Sequence, residues 1–370
     1  MTLRIIQVCP KFPAHGGVER HVLELSRALR DRGVEVIVLA CQSHSQDPKH
    51  EYFENMEVFR FRCWSPSDSY YFSPSIFGYL ARTKALRTVV HSHSYQALPA
   101  FEAALAKSLN DLPIVFTPHY HPLGGTKIRT VLKSLYRPFG EILFGASDLV
   151  VALSNHERSI LQAKFGLESS KIHIIPSGIS RGKSIARTPS ANIVYAGRLE
   201  KYKGVGFLIE SMPIVLERIP TATLSIVGTG SDQTRLRQIA ERKGVSAAVM
   251  FLGTVSQKRL EELLAGAGVV AVVSEYEAYS LIIGEALQMG VPVLATRVGA
   301  IPEIHGDDPN CVLIDYPPAV EELAQKIVEI LLEERSRLSL AAASEVERLS
   351  WADVADIFID AYEKLLSRPG

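Results

Sequence analysis

The sequence predicts an α/β protein with two Rossmann-like halves, each a parallel sheet covered by helices. Short β-branched runs alternate with longer helical patterns, which is the rhythm of parallel strands joined by helical connections. The rhythm stops at Ser177 to Ala191, a stretch rich in Ser, Arg, Gly and Pro, and restarts at Asn192. We therefore expect an N-terminal domain over residues 1–180 and a C-terminal domain over residues 181–350.

Apolar runs place the strands of the first half, because they have the length and β-branched content of buried strands. The predicted strands are residues 5–9, 34–40, 88–90, 114–117, 149–153 and 172–175. After the first run, apolar residues recur at steps of 4, 3 and 4, which predicts one face of a helix that ends at Gly33. These apolar residues are Val18, Val22, Leu25 and Leu29.

The second half repeats this organisation. Its predicted strands are residues 193–196, 223–227, 249–252, 269–273 and 292–295, with helices between them at positions that include 205–218 and 257–265. In sheets of this kind ligands bind beyond the carboxyl ends of the strands. We therefore expect a cleft between the halves, lined by residues that follow strands.

Length and composition restrict the function classes. The 370 residues suffice for two domains of roughly 150 residues each. Hydrophobic residues make up 47% and charged residues 22%, so the chain is globular, and a formal net charge of zero argues against a nucleic-acid partner. The four cysteines form no C-x-x-C pair, which argues against a disulfide scaffold or a zinc ribbon. With neither an apolar run of about 18 residues nor a signal-peptide pattern, we expect a cytoplasmic protein.

Two glycines, Gly16 and Gly17, connect the first predicted strand to the first helix. Paired glycines let a backbone approach a ligand closely, and the N–H groups of a helix N-terminus suit a phosphate. A tight turn without a ligand explains the same residues, and both interpretations stay open. Gly228 and Gly230 also follow a strand, where a plain turn is the simpler interpretation.

The cations Arg198 and Lys203 follow the first strand of the second half, in the segment from Gly197-Arg198 to Lys203-Gly204. A guanidinium and an ammonium at the carboxyl end of a strand, just before a helix, are suited to neutralising a diphosphate. The alternative is a solvated basic loop.

Two glutamates are associated with the fourth strand of the second half. Glu277 lies in the loop after it, and Glu285 lies on the helix that comes next. Ser280 is the predicted N-cap of that helix, so the backbone N–H groups of Ser280 and Leu281 are expected at a helix N-terminus. An anion would bind there while Glu277 accepts hydrogen bonds from hydroxyls. A pair of ordinary surface glutamates is the alternative.

Histidines follow two successive strands of the first half. His91 and His93 follow one strand, and His119 and His121 follow the next, so we expect them on one wall of the cleft. Zinc binding is an alternative. However, neither a carboxylate nor a cysteine stands nearby at ligand spacing, and H-x-H pairs occur by chance.

Taken together, these residues resemble glycosyltransferase family 4, a family of retaining enzymes with the GT-B fold, and the resemblance covers nearly the whole chain. Its most specific part is the E-x7-E motif formed by Glu277 and Glu285. The other matching elements are Gly16-Gly17, His93, Thr117-Pro118-His119, Ile175-Pro176-Ser177-Gly178, Gly197-Arg198 with Lys203-Gly204, Gly290-Val291-Pro292-Val293, Gly299 with Pro302-Glu303, and Ser350-Trp351 through Tyr362-Leu365. The last is similar to the family's C-terminal helix, so residues 351–370 are expected to cross back and complete the N-terminal domain.

The resemblance implies an acceptor-binding N-terminal domain and a C-terminal domain that binds a nucleotide-sugar donor. The implied catalytic residues are Glu277 at the hydroxyls of the donor sugar, His119 near the reacting carbon, and Arg198 and Lys203 at the diphosphate leaving group. The implied donor-binding residues are Gly16 and Gly17 at the distal phosphate, His93 in the cleft, Glu285 at the ribose, and Val255 near the base, together with Gly197, Tyr279, Ser280 and Leu281.

The resemblance also implies that the reaction needs neither a cofactor nor a metal. No D-x-D triplet occurs in the sequence, so a metal-bridged diphosphate is not indicated. Breaking a sugar–phosphate bond builds negative charge on the departing diphosphate, and Arg198 and Lys203 would take the metal's role. In the family's front-face mechanism, the leaving phosphate helps to deprotonate the acceptor.

The sequence departs from the family pattern at three places. The family's E-G-F-G is Glu277-Ala278-Tyr279-Ser280 here, the usual asparagine before Gly178 is Ser177, and Ala300 stands in place of a second glycine after Gly299. Tyr279 and Ser280 bear on how the sugar is held, so these departures concern the donor more than the reaction class.

Two segments of the first half concern the acceptor. Residues 124–145 interleave apolar residues with Lys127, Arg129, Lys133 and Arg137. They predict a basic amphipathic helix, which either rests on an anionic membrane surface or turns a solvated face to water. The aromatic residues Trp64, Tyr70, Tyr71, Phe72, Phe77 and Tyr79 either line an acceptor groove or cover the core.

The leading hypothesis is therefore a retaining glycosyltransferase that moves a sugar from a UDP- or GDP-sugar to a lipid-linked, glycan or small-molecule acceptor. One rival is a GT-B relative, such as a sugar-nucleotide epimerase or a pyridoxal-dependent phosphorylase, and the E-x7-E motif argues against it. The other is a non-catalytic nucleotide-sugar binding module. The presence of Arg198, Lys203, Glu277 and Glu285 argues against that module.

Overall fold

The computed structural model describes residues 2–13, 16–42, 45–67, 70–84, 86–122, 137–180, 190–337 and 348–367. Contacts between Cα atoms divide the chain into two units. The first unit comprises residues 1–178 and 349–370, and the second comprises residues 179–348.

The first unit is built on an eight-stranded sheet. The strands of this sheet are, in chain order, β1 (Arg4–Cys9), β2 (Glu35–Cys41), β3 (His50–Phe53), β4 (Met56–Phe61), β7 (Thr88–His93), β8 (Ile114–Thr117), β9 (Leu149–Ala152) and β10 (Ile172–Ile174). Between β4 and β7 in the chain, β5 (Trp64–Ser67) and β6 (Tyr70–Phe72) form a separate antiparallel pair. The order in the sheet is β10-β9-β8-β7-β1-β2-β4-β3. Neighbouring strands are parallel except for the pair of β3 and β4 at one edge.

Helices connect these strands, as the alternating pattern predicts. They are α1 (Gly17–Asp31), α2 (Pro74–Ala81), α3 (Leu98–Asn110), α4 (Arg137–Ala146) and α5 (Asn155–Phe165), with a 3₁₀ turn at Ser169–Lys171. On one face of the sheet, residues of β1, β2 and β7 pack with α2 and α3, and residues of β8 and β9 pack with α4 and α5. Strands β7, β8 and β9 are buried along their whole length, so their other face is covered as well.

The second unit contains a six-stranded, all-parallel sheet. Its strands are β11 (Asn192–Ala196), β12 (Thr223–Val227), β13 (Val249–Gly253), β14 (Val269–Val272), β15 (Val293–Thr296) and β16 (Cys311–Ile314), in the order β13-β12-β11-β14-β15-β16. Its helices are α6 (Val205–Arg218), α7 (Gln233–Arg242), α8 (Gln257–Ala265), α9 (Leu281–Gln288), α10 (Ile301–His305) and α11 (Val320–Arg337), with a 3₁₀ turn at Lys201–Lys203.

Strand β11 shows why this sheet carries helices on both faces. Ile193 and Tyr195 belong to a buried cluster that includes residues of α6, whereas Val194 belongs to the cluster that includes residues of α9. Side chains alternate between the two faces of a strand, so a run that is apolar throughout requires a helix layer on each side.

The C-terminal helix α12 (Trp351–Leu366) belongs to the first unit, whereas the chain up to Arg348 belongs to the second. A capping box begins it, because the Ser350 side chain accepts from the Asp353 N–H and the Asp353 carboxylate accepts from the Ser350 N–H. The helix packs against α1, and it contacts β7 of the first sheet, where the Tyr362 hydroxyl lies 2.7 Å from Nδ1 of His91. This confirms the prediction that the C-terminal helix crosses back to the first domain.

In both sheets the strand order reverses beside the first strand of the unit. β1 lies between β2 and β7, and β11 lies between β12 and β14. Connections that leave to opposite sides of a strand open a crevice at its carboxyl end, and ligands of doubly wound sheets bind at that position.

The strands predicted from the sequence are present, with bounds within one residue of the prediction except at β7. That strand extends to His93, so His91 and His93 lie within it rather than after it. The prediction omitted β3 to β6 and β16. The segment Met56–Phe61 alternates between buried and partly buried residues, because β4 lies near the sheet edge, and alternating runs of this kind were not among the predicted strands.

Two predicted surface features have different outcomes. Of the predicted basic helix at residues 124–145, residues 124–136 lie outside the described residues. The described part belongs to α4, which begins at Arg137. Among the aromatic residues, Tyr71 is buried, and Phe77 and Tyr79 pack against the core, whereas Trp64 is 70% exposed. None of the described helices has the length and apolar character that crossing a membrane requires.

The close contact between Gly178 and α12 predicts a sensitive position. A Cβ atom at Gly178 would lie 2.6 Å from the Cα atom of Trp351, and backbone has to move to relieve such a contact. We expect Gly178→Ala to lower the free energy of unfolding by about 1–3 kcal/mol, measured by denaturant unfolding. Gly145→Ala is the control, because a Cβ there meets nothing within 4 Å, and its stability should be unchanged or slightly raised. Equal stability of the two variants would contradict this account.

Candidate active site

The sequence-predicted site residues form two groups, one in each unit. In the second unit they lie in the loops that follow β11, β13 and β14 and at the start of α9. In the first unit they lie at the start of α1, at the end of β7 and directly after β8. Each group therefore surrounds the position where the strand order of its sheet reverses.

A buried ion pair is at the centre of the second group. Nζ of Lys203, in the 3₁₀ turn after β11, donates to Oε1 of Glu277 at 2.7 Å. The side chains are only 16% and 11% exposed, so the two charges are largely shielded from water. An ammonium has three donor hydrogens, and the pair with Glu277 uses one of them.

The carboxylate of Glu277 is held by its own loop as well as by Lys203. Oγ of Ser274 donates to the same Oε1 atom at 2.7 Å, and Oγ1 of Thr296 donates to the Ser274 carbonyl at 2.6 Å. The backbone N–H of Ala300 donates to the Glu277 carbonyl at 3.1 Å. The loops that follow β14 and β15 thus fix both ends of Glu277.

Two glycines allow these loops to approach one another. Gly204 and Gly299 have φ angles of +67° and +57°, which L side chains rarely adopt. A Cβ at Gly204 would lie 2.0 Å from the Val273 carbonyl oxygen, and one at Gly299 would lie 1.9 Å from the Glu277 carbonyl oxygen. Without glycine at these positions, the ends of the neighbouring strands β11, β14 and β15 would not pack this closely.

Arg198 is exposed in the same loop as Lys203. Its guanidinium donates to the Tyr202 hydroxyl at 3.1 Å, and its carbonyl accepts from the Tyr195 hydroxyl at 2.9 Å. The Lys203 ammonium lies 5.2 Å from the centre of the Tyr202 ring. Tyr202 therefore contacts both cations, and it was not among the residues predicted from the sequence.

The predicted helix N-terminus differs in one respect from the prediction. Ser280 occupies the N-cap position of α9, but its backbone is left-handed with φ +70°, and its side chain makes no capping hydrogen bond. N-cap side chains bond to the helix from an extended backbone, which Ser280 does not have. Leu281 begins the helix, and Tyr279 and Glu285 are buried in the second unit.

The remaining predicted donor-binding residues of this unit lie in neighbouring loops. Gly197 directly follows β11, and its N–H donates to the Val227 carbonyl at the end of β12. Val255 is partly buried in the short loop between β13 and α8.

In the first unit, Gly16 is the N-cap of α1 in an extended conformation, and Gly17 is its first residue. The 15-residue helix places a partial positive charge at this end, next to the carboxyl end of β1. The two glycines are thus positioned as the sequence predicted, at a helix N-terminus.

His93 and His119 lie side by side in the first unit. Nδ1 of His93 is 3.3 Å from Nε2 of His119, and Nε2 of His93 is 2.7 Å from Oε1 of Gln7 on β1. His119 has a left-handed φ of +47°, and its ring is the partly exposed member of the pair. His91 has a different environment, because it bonds to Tyr362 and to Thr117 in the core.

The sequence prediction missed His21. This residue of α1 is buried, and its ring centroid lies 4.9 Å from that of His119. Its Nδ1 atom lies 2.8 Å from Oγ of Ser177, 156 residues away. A signal was present, because position 21 lies three residues after Val18 and four before Leu25, on the apolar face of the predicted helix.

Burial keeps these imidazoles neutral. It lowers the pKa of His21 to about 3 and lowers the pKa values of His91, His93 and His119 well below the ordinary value. The neighbouring histidines lower the last three further. The first group of residues therefore offers uncharged hydrogen-bonding rings, whereas the second offers the two cations Arg198 and Lys203 and two carboxylates.

Comparison with known proteins agrees with this fold. The family profile described as Glycosyltransferase Family 4 matches residues 15–182, and the one described as glycosyl transferases group 1 matches residues 179–346. The D-inositol 3-phosphate glycosyltransferase of Xylanimonas cellulosilytica is 27% identical, over 95% of this chain and 93% of its own. One component of the phosphatidylinositol N-acetylglucosaminyltransferase of Arabidopsis thaliana is also 27% identical, over 89% of this chain and 75% of its own.

Solved structures share the fold over nearly the whole chain. Anabaena HepE in complex with UDP-glucose superposes with a TM-score of 0.78 at 18% identity, covering 98% of this chain and 100% of HepE. The sucrose-phosphate synthase of Thermosynechococcus elongatus gives 0.75 at 19% identity, covering 99% of each chain.

The fold and the relatives define a glycosyltransferase with the GT-B fold. The two profiles together span residues 15–346, and the chain belongs to glycosyltransferase family 4.

The ion pair predicts a specific pattern of stability. Lys203→Met leaves the Glu277 carboxylate buried without its cation, and we expect a loss of about 2–4 kcal/mol in the free energy of unfolding. Glu277→Leu leaves the Lys203 ammonium buried without its carboxylate, so it should also lower the free energy of unfolding. The double variant removes both charges and should be much more stable than the sum of the two single effects predicts, as measured in a double-mutant cycle. Additive single effects would show that the two charges do not interact.

Proposed function

We propose that this glycosyltransferase moves a hexose from a UDP- or GDP-sugar, with retention and without a metal, to a lipid-linked, glycan or small-molecule acceptor. The observation that carries the proposal is the Lys203–Glu277 pair beside Arg198 at the reversal point of the second sheet. Two cations and a carboxylate in one place match a donor that has a diphosphate at one end and hydroxyls at the other.

The second unit is the proposed donor domain. Arg198 and the remaining donor hydrogens of Lys203 bind the diphosphate, while Glu277 accepts from hydroxyls of the sugar. Glu285 holds the ribose, and the loop at Val255 lies near the base. The likeness to HepE, whose structure contains UDP-glucose, supports a nucleotide-sugar donor.

The first unit is the proposed acceptor domain and also supplies groups for the donor. Gly16 and Gly17 present the N-terminus of α1 to the distal phosphate. His119 contacts the sugar near its reacting carbon, and His93 holds the His119 ring from behind through their 3.3 Å contact. Two of the relatives are named for an inositol phosphate and a phosphatidylinositol, which supports acceptors that include small molecules and lipids.

In the proposed reaction, the bond between the anomeric carbon and the diphosphate oxygen breaks, and the electron pair leaves with the nucleoside diphosphate. Arg198 and Lys203 stabilise the negative charge that develops there, where fixed charges contribute most. The acceptor hydroxyl attacks the anomeric carbon from the same face. Its proton passes to the departing phosphate oxygen, so the reaction requires no protein base.

Slow donor hydrolysis without acceptor tests this proposal most directly. The protein is incubated with UDP-, GDP- and ADP-sugars, and the products are read by mass spectrometry. We expect preferential cleavage of one UDP- or GDP-sugar, and that nucleotide should raise the melting temperature. A protein that neither cleaves nor binds any of these donors would overturn the proposal.

Variants assign the residues. Arg198→Ala, Lys203→Ala and Glu277→Ala should each lower turnover more than tenfold, because each removes a charge at the leaving group or the sugar. Arg242→Ala is the control, since it removes an exposed cation at the end of α7 and should leave turnover unchanged. Circular dichroism checks that the variants are folded. Near-normal turnover in all three site variants would contradict the assignment of these residues.

Metal independence has its own test. Because Arg198 and Lys203 supply the positive charge, we expect full turnover of the chosen donor in excess EDTA. Complete loss of turnover that Mg²⁺ or Mn²⁺ restores would show that a metal takes part.

A further inference from the structure

Three imidazoles of the first unit converge: His21 from α1, His93 from the end of β7 and His119 after β8. One ring nitrogen of each lies within 4.8 Å of the ring nitrogens of the other two. The nitrogens Nδ1 of His93 and Nε2 of His119 are 3.3 Å apart. The proposed reaction gives a role to His119 and a supporting role to His93, but none to His21.

One ring nitrogen of His21 is unused. Its Nδ1 atom is engaged with Oγ of Ser177 at 2.8 Å. Its Nε2 atom is buried and has no hydrogen-bond partner among the described residues, and the residue as a whole is only 1% exposed. A buried ring nitrogen without a partner costs stability, so it is an observation that calls for a ligand.

The surroundings of the rings match those of metal-binding histidines. Such histidines usually engage the second ring nitrogen with a nearby oxygen, which fixes the ring and leaves the first nitrogen available. Oε1 of Gln7 takes this position at Nε2 of His93, and Oγ of Ser177 takes it at Nδ1 of His21. Ser177 stands where the family usually has an asparagine.

The distances suit one class of ion. With zinc–nitrogen bonds of about 2.0–2.1 Å, two ligands of a tetrahedral zinc are about 3.3–3.4 Å apart, which matches the His93–His119 separation. The ligand nitrogens of the three rings lie within 4.8 Å of one another, so a movement on the order of 1–2 Å completes the set. Nitrogen ligands without a carboxylate favour Zn²⁺ or Co²⁺ over Mg²⁺ and Ca²⁺, which prefer oxygen.

We propose that His21, His93 and His119 form a binding site for a divalent transition-metal ion of the zinc type, with the fourth position open beside the partly exposed His119. The ion is not part of the proposed reaction. It withdraws His119 from the donor sugar, so the ion inhibits turnover, and this consequence rests on the proposed function.

Binding is tested on full-length, tag-free protein. We expect one equivalent of Zn²⁺ by titration calorimetry, and Co²⁺ should give the intense visible spectrum of tetrahedral coordination. His21→Ala and His93→Ala should each weaken binding at least tenfold, while the control His50→Ala, at an exposed position on β3, should leave it unchanged. Binding that persists in both cluster variants, or no binding by the natural protein, would overturn the site.

A second measurement does not depend on whether the variants fold. X-ray absorption of the zinc-loaded natural protein should show three imidazole ligands and one oxygen. A spectrum with fewer imidazoles or with octahedral oxygen coordination would contradict the proposal.

Inhibition is measured separately, with the cleaved donor identified above. One equivalent of Zn²⁺ should suppress hydrolysis at least tenfold, and EDTA should restore it. Unchanged turnover of the zinc-loaded protein would overturn the inhibitory role. Failure of the proposed function is distinguishable, because a protein that cleaves no donor would still show the metal stoichiometry and the three-imidazole spectrum.

Discussion

A buried carboxylate is costly unless a cation lies beside it, and in the second unit Lys203 provides that cation for Glu277. The partners come from loops that follow different strands, so the pair forms only if those loops approach closely. Gly204 and Gly299 permit that approach, since each faces a backbone carbonyl where a Cβ would not fit. The reversal of strand order between β11 and β14 brings the loops to one place. The ion pair therefore depends on the sheet topology and on the left-handed backbone of these two glycines.

The two units present opposite kinds of chemistry. The second concentrates charge, with an exposed guanidinium beside a buried ion pair. In the proposed reaction, this is where the leaving diphosphate needs support. The first collects histidines whose burial lowers their pKa values, so their rings stay neutral. Neutral rings suit contact with a sugar whose reacting carbon becomes positive, because they add no repulsion. The same neutrality makes them available to a transition metal, which explains how one cluster would serve both roles.

Local pattern was enough to predict the framework. The helices at 205–218 and 257–265 and the strands at 114–117 and 223–227 have the predicted bounds, since apolar periodicity directly reflects burial. Glu277 likewise lies in the loop after β14, and Glu285 lies on the helix that follows, as the sequence predicts. The apolar pattern of the sequence carries no information about contacts between residues that are far apart in the chain. The His21–Ser177 bond joins positions 156 residues apart, and the Tyr202 contacts depend on a loop conformation. The strands β3 and β4 at this end of the sheet escaped because β4 is buried on one face only and β3 is buried on neither.

The residues that depart from the family pattern differ in their effect on the structure. Ala300 uses only its backbone N–H toward Glu277, so a side chain there does not disturb the carboxylate. Ser177 supplies a hydroxyl to His21 and thereby shapes the first unit. Tyr279 is buried, and burial raises the pKa of its hydroxyl. Ser280 has a left-handed backbone and no capping side-chain bond. In the proposed function, donor selectivity at this loop depends on the left-handed backbone at Ser280 together with the buried Tyr279 side chain.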